Sequence, residues 1–328
     1  MDSCFNLPVS PGMPVEVEAL ASECIDISEY LRSQNLINLL SVKDKCYDGL
    51  VREFYANSRA NKDKSVVRSV VRNIHVEVST EVLFAEFGLV DTGYSVDYKM
   101  ISAKNMDKLA VPGYDDREFV RQILQHDDSI RRAMGKKPKF YAPDMKVLPR
   151  LLHLIICHNI VPKGGSISSV SALERIMLWH LLNKKPLNIG KLMIATIFNK
   201  IRKIRSRDNK KTHLPFGIFL TSIFRRFNVP IYTGHIDKGF HSHNIGVSYF
   251  KKMAVKSESQ GWMWKKFKPA DAVLGDTAEQ DKITEAANQL VDMGECAAVD
   301  KPPFLGQTDD VEDVVIVSQQ TRAGATVC

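Results

Sequence analysis

Apolar residues recur every three to four positions more regularly between residues 150 and 230 than anywhere else, and that period predicts a run of helices. Leu151, Leu152, Ile155 and Ile156 form one apolar face, broken by Pro162, Gly164 and Gly165. Val170, Leu173, Ile176, Met177, His180 and Leu181 form the next, with Ser168 or Ser171 available as N-cap and Ser171 and Glu174 at the spacing of a capping box. Pro186 ends it, and Asn188 can cap a third helix carrying Ile189, Met193, Ile197, Ile201 and Ile204. Pro215 can sit in the first turn of a fourth, with Phe216, Phe219, Leu220, Ile223, Phe224 and Phe227 inward and Asn228 and Pro230 as the stop.

The rest of the chain is patterned less evenly. Asp26 can cap a helix containing Tyr30, Leu31, Ile37 and Leu40, and a second has Cys46, Tyr47, Leu50, Val51, Phe54 and Tyr55 at helical spacing before Asn57. The period then changes to two: Ile74, Val76 and Val78 alternate with His75, Glu77 and Ser79, as in a half-buried strand. Ser79 or Thr80 caps a short helix that Gly88 ends, and Phe119, Val120, Ile123 and Leu124 mark another over residues 115–125. Pro8, Pro11, Gly12 and Pro14 give residues 1–24 the composition of a poorly ordered, flexible leader. After residue 250 an aromatic and basic strip, Trp262, Trp264, Lys265, Lys266, Phe267 and Lys268, precedes an acidic stretch with one helical pattern at 278–291. The expected fold is mainly α: a helical domain over residues 25–250 with a small β-strand or hairpin element, between a leader and a basic-then-acidic flexible tail, residues 251–328.

Charge sharpens this picture. The net +7 hides an asymmetry, because from Ala270 onward twelve Asp or Glu face Lys282, Lys301 and Arg322, a net of −9 that leaves +16 on the first 269 residues. A basic body favours polyanionic partners, nucleic acid before membrane. No apolar run reaches a membrane span, and there is no basic-then-apolar signal sequence, so an intracellular protein, in nucleus or cytoplasm, is expected, with no membrane partner. The six cysteines are scattered with no CxxC pair, as in reduced thiols rather than a disulfide frame.

The densest charge is in the third helix and just beyond: Lys200, Arg202, Lys203, Arg205, Arg207, Lys210 and Lys211, with Asp208 the lone acid. Complementing a helix dipole takes one or two cations, each worth about 0.3–1 kcal/mol when exposed. Seven in twelve residues exceed that need and repel one another, which favours an external polyanion or a nuclear import receptor. Arg225 and Arg226, on the wet side of the fourth helix, can join this nucleic-acid-binding set.

The motif VREFYAN at residues 51–57, the strand-to-helix passage 71–89 and residues 151–230 together resemble the plant domain described as a transposon protein, found in retrotransposon-derived polyproteins and in stand-alone host-genome copies. The resemblance covers roughly residues 44–231. It is most specific at VREFYAN, at Val161-Pro162 with the helix that follows, and at Pro186-Leu187-Asn188-Ile189-Gly190-Lys191; the proline-opened helix of residues 215–229 fits the later pattern. It implies a transposon-derived lineage and carries over no catalytic residue.

Other chemistry is thinly represented. Asp91-Thr92-Gly93 has the aspartic-protease triplet but follows a helical pattern and reads as a turn. His235, His241 and His243, with Asp237, are the one histidine cluster in a glycine-dotted loop, and they define the rival reading, a cryptic metal-dependent hydrolase or nuclease. His153, His158 and His180 lie on or beside apolar faces, as satisfied core histidines do. No phosphate-binding GxxxxGK and no zinc knuckle occurs. The expectation is therefore a non-enzymatic module without cofactor or metal, binding nucleic acid or associating with itself or with other transposon-derived proteins; a decayed element fragment is a third reading.

Overall fold

The computed structural model describes residues 6–96, 111–135, 139–206, 212–232, 239, 241–257 and 261–264, with the backbone alone for 253–257 and 261–264. Its sheet is small. β1 (Arg59–Ala60), β2 (Val67–Val71) and β3 (Ile74–Val78) pair antiparallel in that order, with Val67 opposite Val78 and Val71 opposite Ile74. Only Arg72 and Asn73 separate the last pair, and both have positive φ, 50° and 62°, as a two-residue turn matched to strand twist requires. Val67, Val71, Val76 and Val78 are buried while Arg68 and His75 are exposed, so the period of two seen in the sequence is the inward face of a hairpin.

The hairpin lies on α4 (Asp48–Asn57), which carries VREFYAN. Asn57 donates through Nδ2 to the Val70 carbonyl at 2.8 Å, and the Ser69 and Ser58 hydroxyls both donate to the Phe54 carbonyl, at 2.8 and 2.6 Å. Val51, Phe54 and Tyr55 are buried; the Phe54 ring meets Phe224 at 5.9 Å, and the Tyr55 hydroxyl donates to the Pro215 carbonyl at 3.1 Å. α4 therefore joins the sheet to the later helices. Before it come α1 (Val17–Ser22), α2 (Ser28–Arg32) and α3 (Ile37–Leu40); after the sheet, α5 (Thr80–Phe87) has Ser79 as its side-chain N-cap and Gly88, at φ 73°, as its left-handed stop.

The long helices follow. α6 (Asp116–Ile123), capped by Asp115, and α7 (Asp127–Ala133) lead to α8 (Val147–Ile155), which starts four residues before Leu151 because Pro149 falls in the first turn, where no intrahelical N–H is needed. α8 runs on as a π turn, Ile156–Ile160, closed by Val161 N–H to the Ile156 carbonyl at 2.9 Å. α9 (Ala172–Leu182) has the complete Ser171–Glu174 capping box, and α10 (Ile189–Arg205) is capped by Asn188. α11 (Gly217–Arg226), α12 (Val247–Met253) and the hairpin β4 (Ala254–Ser257) with β5 (Gly261–Trp264) complete a mainly α fold with a small β element. The strip at 265–268, the helical pattern at 278–291 and the acidic stretch lie outside the described residues.

Residues 6–24 depart from the flexible leader expected of them. Leu7, Met13, Val15 and Leu20 are buried, and isolated bridges join Val9 to Leu214 and Val15 to Ile245. α11 has no side-chain cap; its first N–H groups, of Gly217 and Ile218, donate instead to the carbonyls of Ser10 and Pro11 at 3.1 and 2.9 Å. Phe216, at φ 68°, is left-handed, so this helix opens at Gly217 and not at Pro215. The prolines that remove periodicity also hold the segment extended, the form in which its backbone reaches the helix end.

Asp91-Thr92-Gly93 forms a turn that clamps the start of α10. The Asp91 carboxylate accepts from Asn188 Nδ2 at 2.6 Å and from Lys191 Nζ at 2.9 Å, and these two hold its pKa below the usual carboxylate value. Tyr94 N–H donates to the Pro186 carbonyl, and Asn188 N–H to the Tyr94 carbonyl. Gly93 has φ 94°, and a Cβ there would lie 2.6 Å from the Pro186 carbonyl carbon. Gly93→Ala should therefore lower stability by about 2–4 kcal/mol in denaturant titration, from left-handed strain plus backbone displacement. Lys191→Ala, which removes a half-exposed ion pair, should cost under about 1 kcal/mol; equal effects would refute the clamp.

Candidate functional site

The basic segment is split by the geometry of α10. Ile201 and Ile204 face the core, so Arg202, Lys203 and Arg205 stand on the exposed side. Arg202 reaches Asn199 Oδ1 at 3.2 Å, and the Arg205 guanidinium donates to the Ser58 carbonyl. Lys200 turns inward, its Nζ 3.3 Å from His213 Nδ1, while His213 Nε2 lies 2.9 Å from the Pro162 carbonyl. Burial, then Lys203, lowers the Lys200 pKa to about 8; burial and Lys200 press His213 down to about 4. His213 is thus neutral, donating from Nε2 and accepting the Lys200 ammonium on Nδ1. Gly164 makes room for it, since a Cβ there would sit 2.0 Å from Nδ1. Arg207, Lys210 and Lys211 lie outside the described residues.

Arg225 and Arg226 are placed elsewhere. Arg225 forks onto Asp44 at 2.6 and 3.0 Å, and Arg226 lies 3.6 Å from Glu86. Asp44 precedes α4 and Ser58 follows it, so Arg225 and Arg205 mark opposite ends of that helix, about 15 Å apart at 1.5 Å per residue.

A second basic segment, not singled out in the sequence, joins the end of α10. Arg59, Lys62 and Lys64 surround the β1–β2 turn; Arg59 follows the Ser58 carbonyl that Arg205 contacts, and Lys64 Nζ lies 5.4 Å over the Phe198 ring of α10. Arg59 and Lys62 are exposed, with Asp63 the acid of that turn, and Arg68, opposite Arg59 in register, is held by Glu77 at 2.7 Å. The signal available was RANKDK at residues 59–64, too short to stand out until the fold sets it beside a helix 140 positions later.

Beneath the surface α8 and α9 enclose a polar cluster. His153 Nε2 lies 3.0 Å from Glu174 Oε2 and 3.3 Å from Cys157 Sγ, and Lys163 Nζ is 2.8 Å from the same carboxylate oxygen. Burial raises the Glu174 pKa, but His153 and Lys163 outweigh it and hold the carboxyl at about 2. Burial and the facing Glu174 push the Cys157 thiol up, so it is not a standing thiolate. Sγ lies 3.3 Å from Nε2, the nitrogen that faces the carboxylate, and 4.0 Å from Nδ1, so it sits over the ring on neither nitrogen's axis, whereas a nucleophile–base–orienter relay places its partners on the two axes. Sequence spacing held the clue: His153 and Cys157 are four apart on one helical face.

The other histidines correct the expectation of satisfied core residues. Nε2 of His158 and Nε2 of His180 are buried without a hydrogen-bond partner; burial lowers the His158 pKa to about 4, and His180 approaches the Lys185 carbonyl through Nδ1 at 3.2 Å while stacking on Tyr94. His241 and His243 are exposed, His241 in a cleft of about 270 Å³ beside Asp44, which Arg225 already occupies. Asp237 and His235 lie outside the described residues. Among the described residues the group whose ligand atoms converge is His153, Cys157 and Glu174, and no helix is long and apolar enough to cross a membrane.

A family model described as "Putative plant retrotransposon-related domain" matches residues 32–230, more than half of the chain, in close agreement with the span of the sequence resemblance. No curated protein and no solved structure matches.

Proposed function

The chain belongs to the plant retrotransposon-related domain family, and we propose that it acts as a transposon-derived, non-catalytic module that grips nucleic acid by its phosphates. The supporting observation is the convergence of Arg202, Lys203 and Arg205 with Arg59 and Lys62 at one end of α10 and α4, from segments far apart in sequence. Exposed cations from two segments at one helix end, with Asp63 the acid of the turn, suit backbone contacts, which fix position without reading bases. Arg207, Lys210 and Lys211 would extend it, and the same run would serve a nuclear import receptor. Lys200 supports the face from within by its contact with His213. Arg225 and Arg226 are committed to Asp44 and Glu86 and stand apart from the proposed contact.

Four or five phosphate contacts give a log–log salt slope of about −4 for duplex DNA. Fluorescence anisotropy at several salt concentrations should show it. Replacing Arg202 and Lys203 by Gln should reduce the slope by about 2, and Arg59→Gln with Lys62→Gln should do so independently. Arg225→Gln should leave the slope unchanged. If both double variants bind with the parent's slope, this reading is wrong.

A further inference from the structure

We propose that His153, Cys157 and Glu174 form a buried site for a divalent transition metal of the zinc class, tying α8 to α9. This site is separate from the basic face and does not depend on it. The three ligand atoms lie within 4.8 Å of one another. Around a tetrahedral zinc, with bonds of about 2.0–2.3 Å, imidazole nitrogen and carboxylate oxygen stand about 3.4 Å apart, and nitrogen and sulfur about 3.6 Å. The observed nitrogen–oxygen and nitrogen–sulfur separations, 3.0 and 3.3 Å, are about 0.3–0.4 Å short of these, and a rotation of the Cys157 side chain off the ring face would bring Sγ onto the ion.

Hydrogen bonding explains this packing less fully. Imidazole Nε2 offers one proton or one lone pair along one direction, and Oε2 takes it; Sγ, 3.3 Å from Nε2 and 4.0 Å from Nδ1, lies over the ring and off that direction, so the thiol has no well-aligned imidazole hydrogen bond. One proton serves one of them, whereas an ion between the three atoms serves all. The donor set, one imidazole, one thiolate and one carboxylate, suits zinc or cobalt(II) and is too soft for calcium or magnesium. A thiolate and a carboxylate balance the two positive charges, so binding releases the Cys157 proton to solvent and frees the Lys163 ammonium from Glu174. Lys163 can leave Glu174: its side chain is 20% exposed, against 0% for His153 and 3% for Glu174, and its Nζ also has the Ser169 carbonyl as an acceptor. Its departure opens the path for the ion and for a water as fourth ligand. The π turn holding Cys157 adds a second sign, since such turns frequently occur at functional sites.

The test is cobalt(II) titration of the full chain after chelator treatment, followed by absorption spectroscopy. The expected result is one cobalt per chain with thiolate-to-cobalt charge transfer in the near ultraviolet, lost when zinc is added. Cobalt on exposed His241 or His243 would give no such band. Cys157→Ser should abolish the band, and Glu174→Gln, which preserves the helix cap, should weaken affinity by about 10–100-fold or more. Should Cys157→Ser fail to fold, a chain with Cys4, Cys24, Cys296 and Cys328 changed to Ser and Cys46 to Ala decides instead, and it should keep the band. Absence of the band in the folded parent, or its loss in that five-cysteine variant, overturns the site.

Discussion

Removing residues 1–24 should leave a chain that no longer holds its native fold. Four of the lost side chains, Leu7, Met13, Val15 and Leu20, are at most 9% exposed, and burying such a residue contributes about 1.5–3 kcal/mol as an upper estimate. Their neighbours would then face water. The deletion also strips the Ser10 and Pro11 carbonyls from the first N–H groups of α11, a helix with no side-chain cap to replace them. The combined loss exceeds about 5 kcal/mol, comparable with the whole stability of many domains. Circular dichroism and thermal melting of residues 25–328 beside the full chain would show it, as early loss of helical signal or no cooperative transition. Leu20→Ala gives the graded version, with an expected cost of about 2–5 kcal/mol. A truncated chain melting within a few degrees of the parent would mean that the segment merely rests on the body.

That segment also marks where the sequence stops being legible. Caps and stops are local chemistry, so Ser79, Gly88, Ser171 with Glu174, and Asn188 could be located from residue type and spacing alone. An extended strap has no period, and its place is set by a helix end more than 200 residues away. The same limit governs the candidate site. Charge density identified residues 200–211, but which cations face water is decided by Ile201 and Ile204 turning inward and by His213 drawing Lys200 with them. Arg59 and Lys62 join only because α10 ends against the α4–β1 junction. His153 looked like an ordinary core histidine and Cys157 like one of the scattered reduced thiols until α9 brought Glu174, the acid of its capping box, beside the same imidazole.

Glu174→Ala should be the most damaging single substitution in that core. The carboxylate accepts from Ser171 Oγ at 2.8 Å and Ser171 N–H at 3.2 Å, meets His153 at 3.0 Å and Lys163 at 2.8 Å, and so joins the cap of α9 to α8 and to the loop between them. Alanine removes the carboxylate's half of the capping box, leaving Ser171 Oγ to accept from the backbone N–H of residue 174, and strands a buried imidazole; breaking a buried charged network by deleting one partner costs about 3–5 kcal/mol. Glutamine separates the contributions. It keeps the shape, the capping-box acceptor and a partner for His153, losing only the charge that holds Lys163, and that side chain can return to solvent. Glu174→Gln should therefore cost about 1–2 kcal/mol by urea titration of chelator-treated protein, well below Ala. If Gln proves as costly as Ala, the charge and not the cap holds the two helices; if Ala costs under about 1 kcal/mol, they are joined by their apolar faces alone.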